Sequence, residues 1–124
     1  MRKKWKNFSV ANAPYVKKKL ALSVMARKRG DKENEFKLLE DAHVLGQQST
    51  PFHTIVHWQM LKYGLRYRSL KEVTGQIFRL IGAVTKTPFG ILPKGNTGGA
   101  NVNAFESMPI STENKTILAK VTRI

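Results

Sequence analysis

The three histidines of this chain, His43, His53 and His57, all fall in one short stretch, LLEDAHVLGQQSTPFHTIVHWQML (residues 38–61). His53 and His57 are four residues apart, so on a helix both imidazoles share one face, a geometry able to hold one divalent transition metal. His43 precedes them on an apolar stripe with Phe36 and Leu39, and Glu40 lies one turn before it. If two helices meet through the connection GQQSTP, His43 comes beside His53 and His57, and Glu40 can add an oxygen ligand or orient a ring. Such a set suits zinc or iron first, and cobalt, nickel or copper as well. Thr54, Ile55 and Val56 separate the paired histidines, so the pair lacks the glutamate that serves as general base in the zinc-protease motif.

Two other readings of the same residues stay open. Imidazoles on apolar stripes can be hydrogen-bonded core residues, and a helix start favours their neutral form. Acid–base catalysis without a metal is the third, since histidine titrates in the right range, but no partner nucleophile is visible in the sequence. The chain has no cysteine, which excludes disulfides, thiolate zinc sites and thiol nucleophiles.

Placing the histidines requires helices, and the start and stop signals mark four. Ala13-Pro14 opens the first, which runs to Gly30 with Val16, Leu20, Ala21 and Val24 as its apolar stripe. Gly30-Asp31 ends that helix and caps the second, which closes near Gly46. Thr50-Pro51 opens a third helix ending at Gly64. Ser69 and Glu72 form a capping box for a fourth, whose stripe is Leu70, Val73, Ile77, Leu80, Ile81 and Val84 and which Pro88 ends. The expected fold class is all-α: two antiparallel helix pairs, loosely tetratricopeptide-like because Gly30 and Gly64 are 34 residues apart. Residues 13–110 form the single domain. Within it, residues 88–110 are an extended Gly/Asn/Pro-rich segment held on the helices by Phe89, Ile91, Leu92, Val102, Phe105 and Met108. Residues 1–12 read as a basic arm, and residues 111–124 as a short strand or ragged tail.

The charge balance is lopsided, with 22 Lys and Arg against 8 Asp and Glu, a formal +14. Positions 1–30 contain no acid. That excess gives the alternative function, a basic helical module for nucleic acid or an acidic protein, with the histidines structural. Lys3, Lys4, Trp5, Lys6, Lys17, Lys18, Lys19, Arg66 and Arg68 are the candidate polyanion surface, combining cations with an aromatic ring. Gly95, Asn96, Thr97, Gly98, Gly99 and Asn101 are a candidate anion-binding loop through their backbone amides, though the Gly-Lys-Ser/Thr ending of a nucleotide-binding loop is lacking. No apolar run approaches the roughly 20 residues of a membrane span, and the basic N-terminus lacks a signal peptide's apolar middle, so a cytoplasmic location is expected.

Taken together, LLEDAHVLGQ, HTIVHWQMLKYG, EVTGQIFR and GNTGGANVNAFESMPI resemble a family of small bacterial proteins catalogued only as a domain of unknown function. The resemblance spans about residues 13–110 and is most specific in the histidine and glycine–asparagine blocks, with Glu40, His43, His53, His57, Trp58 and Asn96–Val102 among the matching positions. It implies a compact cytoplasmic bacterial protein and no particular reaction.

Overall fold

A computed structural model of the chain describes residues 2–86 and 94–122. Among these residues the protein is all-helical, with α1 (Arg2–Lys28), α2 (Lys32–Gly46), α3 (Thr50–Arg66), α4 (Leu70–Lys86) and α5 (Thr112–Thr122), and no strand. Helices α1 and α2 form one hairpin and α3 and α4 another, joined face to face through α2 and α3. Their directions follow from cross-contacts. Asn12 donates to Leu45 O and Lys19 pairs with Asp41, while His57 meets Gln76 and Gly64 abuts Val73. In each hairpin one helix's numbering falls as its partner's rises, so both pairs are antiparallel.

Local chemistry explains the boundaries. Gly30 has φ +74°, a left-handed turn that a side chain would strain, and it ends α1. The Asp31 side chain then accepts from Asn34 N–H to start α2. Pro51 sits in the first turn of α3, where its missing N–H costs nothing. Ser69 Oγ accepts from Glu72 N–H at 3.2 Å to start α4. The reciprocal half of the capping box is not made, because the Glu72 carboxylate faces Gln76 and Ala100 instead.

The core is Val16, Leu39, Ala42, Leu45, Val56, Met60 and Tyr63, contributed by α1, α2 and α3, with Leu20, Phe36, Phe52, Ile117 and Leu118 packed around it. On α1 the buried stripe is Asn12, Val16, Lys19, Ser23 and Ala26, more polar than expected, while Ala21 is exposed. Each polar member of that stripe has a partner: Asn12 donates to Leu45 O, Ser23 to Leu20 O, and Lys19 bridges Asp41 and Glu113.

Four sequence expectations need correction. The first helix starts at Arg2 and continues through Pro14, not at Ala13-Pro14, so residues 2–12 are helical backbone. Pro14 faces solvent, and the Asn12–Leu45 bond fastens the turn before it to α2, offsetting the hydrogen bond that proline removes. Residues 112–122 are a helix, with Ser111 Oγ accepting from Asn114 N–H at 3.2 Å, and Val121 is buried. Finally, most of the apolar stripe of α4 faces outward: Leu70, Ile77, Ile81 and Val84 are exposed and Val73 and Leu80 partly buried, whereas Glu72 and Gln76 are buried. Phe105 is likewise exposed and anchors nothing in the core. Phe89, Ile91 and Leu92 lie outside the described residues.

Candidate metal centre

The site forms where α2 runs into α3. Leu39 and Ala42 seat α2 in the core and carry His43 inward beside them, and Val56 and Met60 do the same on α3 for His53 and His57. All three rings are buried, at 3%, 8% and 2% exposure, which removes the histidines from bulk water. Their Nε2 atoms converge: His43 to His53 is 3.1 Å, His43 to His57 is 3.1 Å, and His57 to His53 is 3.0 Å. The ring centroids are 4.6–4.9 Å apart and the planes are tilted by 47–67°, so the rings are splayed around a common point and are not stacked.

The other ring nitrogens decide which protons point there. His43 Nδ1 is 2.6 Å from Asn96 O, a backbone carbonyl that can only accept, so Nδ1 carries the proton. His57 Nδ1 is 2.6 Å from Gln76 Oε1. The Gln76 amide is fixed because its Nε2 donates to Glu72 Oε1 at 2.7 Å and to Gly98 O at 2.8 Å, both pure acceptors. His57 Nδ1 must therefore also be a donor. In their neutral forms His43 and His57 turn bare Nε2 lone pairs toward each other at 3.1 Å, and no hydrogen bond can join them directly. A proton on His53 Nε2 could satisfy only one of them at a time.

Burial holds all three imidazoles neutral. It pushes His43 well below its ordinary value, with the neighbouring histidines and Arg79 acting in the same direction. Burial also lowers His53 to about 4, and lowers His57 to about 3 with further help from His53. Neutral imidazole is the form that ligates a metal.

The loop after α4 closes the site from the other side. Gly98, at φ +86°, lies flat against the His43 ring, and a Cβ built there would stand 2.5 Å from Cδ2 and 2.6 Å from Cγ. Asn96 is buried and braces this loop, donating from Nδ2 to Asn103 O and Glu106 O at 2.7 Å while its Oδ1 accepts from Gly98 N–H at 2.9 Å. Two of the amides expected to cradle an anion have internal acceptors, Gly95 N–H donating to Gln47 Oε1 and Gly98 N–H to Asn96 Oδ1, and the neighbouring Ala100 N–H donates to the Glu72 carboxylate. Thr97 and Asn101 belong to the same loop, Thr97 partly buried and Asn101 exposed, and Gly99 packs against Phe36.

Among the described residues, the histidine, aspartate and glutamate side chains close enough to share one ion are His43, His53 and His57. Glu40 is not in that group. It is partly buried beside the site, and burial raises its carboxyl above the usual range. Gln76, Glu72 and the Asn96 carbonyl complete the arrangement, and the sequence reading assigned none of them this role. The available signal was Glu72 and Gln76 spaced i, i+4 on a helix whose other face is apolar. Five of the candidate polyanion residues have described side chains. Lys17, Lys18 and Arg68 are exposed, but Lys19 is buried between Asp41 and Glu113, and Arg66 is paired with buried Glu35. The side chains of Lys3, Lys4, Trp5 and Lys6 lie outside the described residues.

A family model described as "Protein of unknown function (DUF3703)" matches residues 10–118. The chain belongs to that family. The match takes in the histidine elbow, the Glu72–Gln76 pair and the loop over His43. No curated protein and no solved structure matches the chain. No helix among the described residues is long and apolar enough to cross a membrane.

Proposed function

We propose that this protein binds one divalent transition-metal ion through Nε2 of His43, His53 and His57. The observation that carries the proposal is the convergence of three Nε2 atoms within 3.0–3.1 Å while the Nδ1 protons of His43 and His57 are committed elsewhere. Buried polar atoms ordinarily find partners, and two facing lone pairs have none in each other. A cation between them satisfies every ring at once.

The donor set narrows the choice of ion. Three neutral imidazoles suit zinc, ferrous iron, cobalt, nickel or copper, and not magnesium or calcium, which take oxygen. Zinc or iron fits best. The three imidazoles would supply three ligands to such an ion, and the fourth that zinc ordinarily takes would come from outside this set. Asn96 O and Gln76 Oε1 act as orienting partners, fixing the tautomer and aim of two rings as carbonyl and carboxamide groups do in metalloproteins.

The test is elemental analysis of tag-free protein, followed by zinc titration of the stripped chain and of His57→Ala. One equivalent per chain, lost in the variant, is expected. Absence of stoichiometric metal, or unaltered binding by His57→Ala, would overturn the proposal.

A further inference from the structure

Helix α4 carries an exposed apolar face opposite a buried side that mixes Ala83 with polar residues. Its buried side carries Glu72 at 8% and Gln76 at 0% exposure, both occupied with the histidines and the loop. Its outer side carries Leu70, Ile77, Ile81 and Val84, spaced so that they share one face. Phe78 extends that face and meets Phe105 edge-on at 6.1 Å. These six side chains are 48–77% exposed. Among the described helices α4 packs only on α3, so no helix covers this face.

We infer that the outer face of α4 is a homodimer interface, covered by the same face of a second copy of this chain. Size is the first support. Six large apolar side chains, each about half or more exposed, offer several hundred Å², the order of the ~800 Å² that each partner of a standard stable interface contributes. The largest apolar patch on an ordinary monomer is usually smaller than such an interface requires.

Charge is the second support and selects the occupant. The chain is +14 overall, so most pairs of its surfaces would repel when brought together. From Thr74 to Thr85 the exposed positions of α4 carry no charge, and the one cation in that span, Arg79, is partly buried and donates to Gly75 O and Val102 O. This is a surface that two copies can bring together without opposing like charges. A helix built to lie on an anionic membrane flanks its apolar face with lysine and arginine. Here the flanking positions between those ends are Thr74, Gly82 and Thr85. In an antiparallel two-fold pairing, Ile77 lies at the centre and Leu70 opposes Val84 of the other copy, a self-complementary arrangement.

The experiment is sedimentation equilibrium of the full chain from low to high micromolar concentration, for wild type and for Ile77→Glu. A wild-type dimer is expected, weakened at least ~100-fold in the variant because the two-fold axis buries the new charge twice. Helical content and metal stoichiometry of the variant should match wild type, since residue 77 is exposed. Ile81→Glu supplies the same test if Ile77→Glu does not fold. A wild-type monomer throughout the range overturns the inference, as does a dimer indifferent to both substitutions. Monomeric wild type that binds phosphatidylglycerol–phosphatidylcholine vesicles, with binding lost in Ile77→Glu, overturns it in favour of a membrane surface.

Discussion

Gln76 presents its carbonyl oxygen to His57 Nδ1 at 2.6 Å because its amide nitrogen is taken by Glu72 and Gly98. One side chain thereby fixes the tautomer of His57, ties α4 to the loop over the site, and aims Nε2 at the other two histidines. Replacing it isolates this role. Gln76→Leu should keep one metal per chain but weaken its affinity by about 10–100-fold, the usual cost of losing an orienting partner. Isothermal titration of the stripped proteins measures this, and equal affinities would show that the pair is packing alone.

Gly98 tests how tightly the loop is fitted to the histidines. Its φ of +86° and the 2.5 Å approach of a built Cβ to the His43 ring leave no room for alanine. Gly98→Ala should cost roughly 2–4 kcal/mol, from backbone strain together with displacement of a buried ring. Denaturant unfolding of the stripped protein gives the number, and a loss below about 0.5 kcal/mol would mean the loop is free to lift away.

Much of this was legible in the sequence. The elbow was readable because Gly30, Asp31, Pro51 and the short connection each mark a helix end by local chemistry. The i, i+4 spacing of His53 and His57 then fixed their shared face. What stayed hidden depends on distant partners. Nothing near Pro14 announces that Asn12 will be held by Leu45, so the local signal places the helix start at Ala13-Pro14. Ser111 does carry a capping signal, but the weak alternation after it resembled a strand, and only burial of Val121 with Ile117 and Leu118 against the core makes it a helix. On α4 most of the apolar stripe turns outward for the same reason. The inward side is set by what His57 needs, and His57 lies on another helix.

Stability of the metal-stripped protein should depend on pH in one direction. The three histidines titrate near 6.5 when unfolded but are lowered in the fold, His53 to about 4 and His57 to about 3, by burial. Below pH 6.5 the unfolded chain therefore binds protons that the native chain refuses. Each histidine then removes about 1.4 kcal/mol of stability per pH unit as the pH falls toward its folded value. Their contribution is complete above pH 6.5 and does not change from there upward. Urea midpoints at pH 7.5 and pH 5 should differ accordingly, and equal midpoints would contradict the buried neutral cluster.

Metal should stabilise the fold by mass action. Binding to the native chain alone adds about 4 kcal/mol when free metal is a thousandfold above Kd. Adding zinc to stripped protein should raise its melting temperature, and a chelator should reverse the rise. The His43→Ala variant should show neither effect. A melting temperature indifferent to zinc would show that the rings support each other without an ion.

The most direct measurement is a crystal structure of the zinc-loaded protein with anomalous data collected at the zinc edge. The expected result is one peak per chain, about 2.0–2.2 Å from Nε2 of His43, His53 and His57. Crystals soaked in zinc that show no peak between these rings, or only peaks on surface carboxylates, would contradict the metal centre.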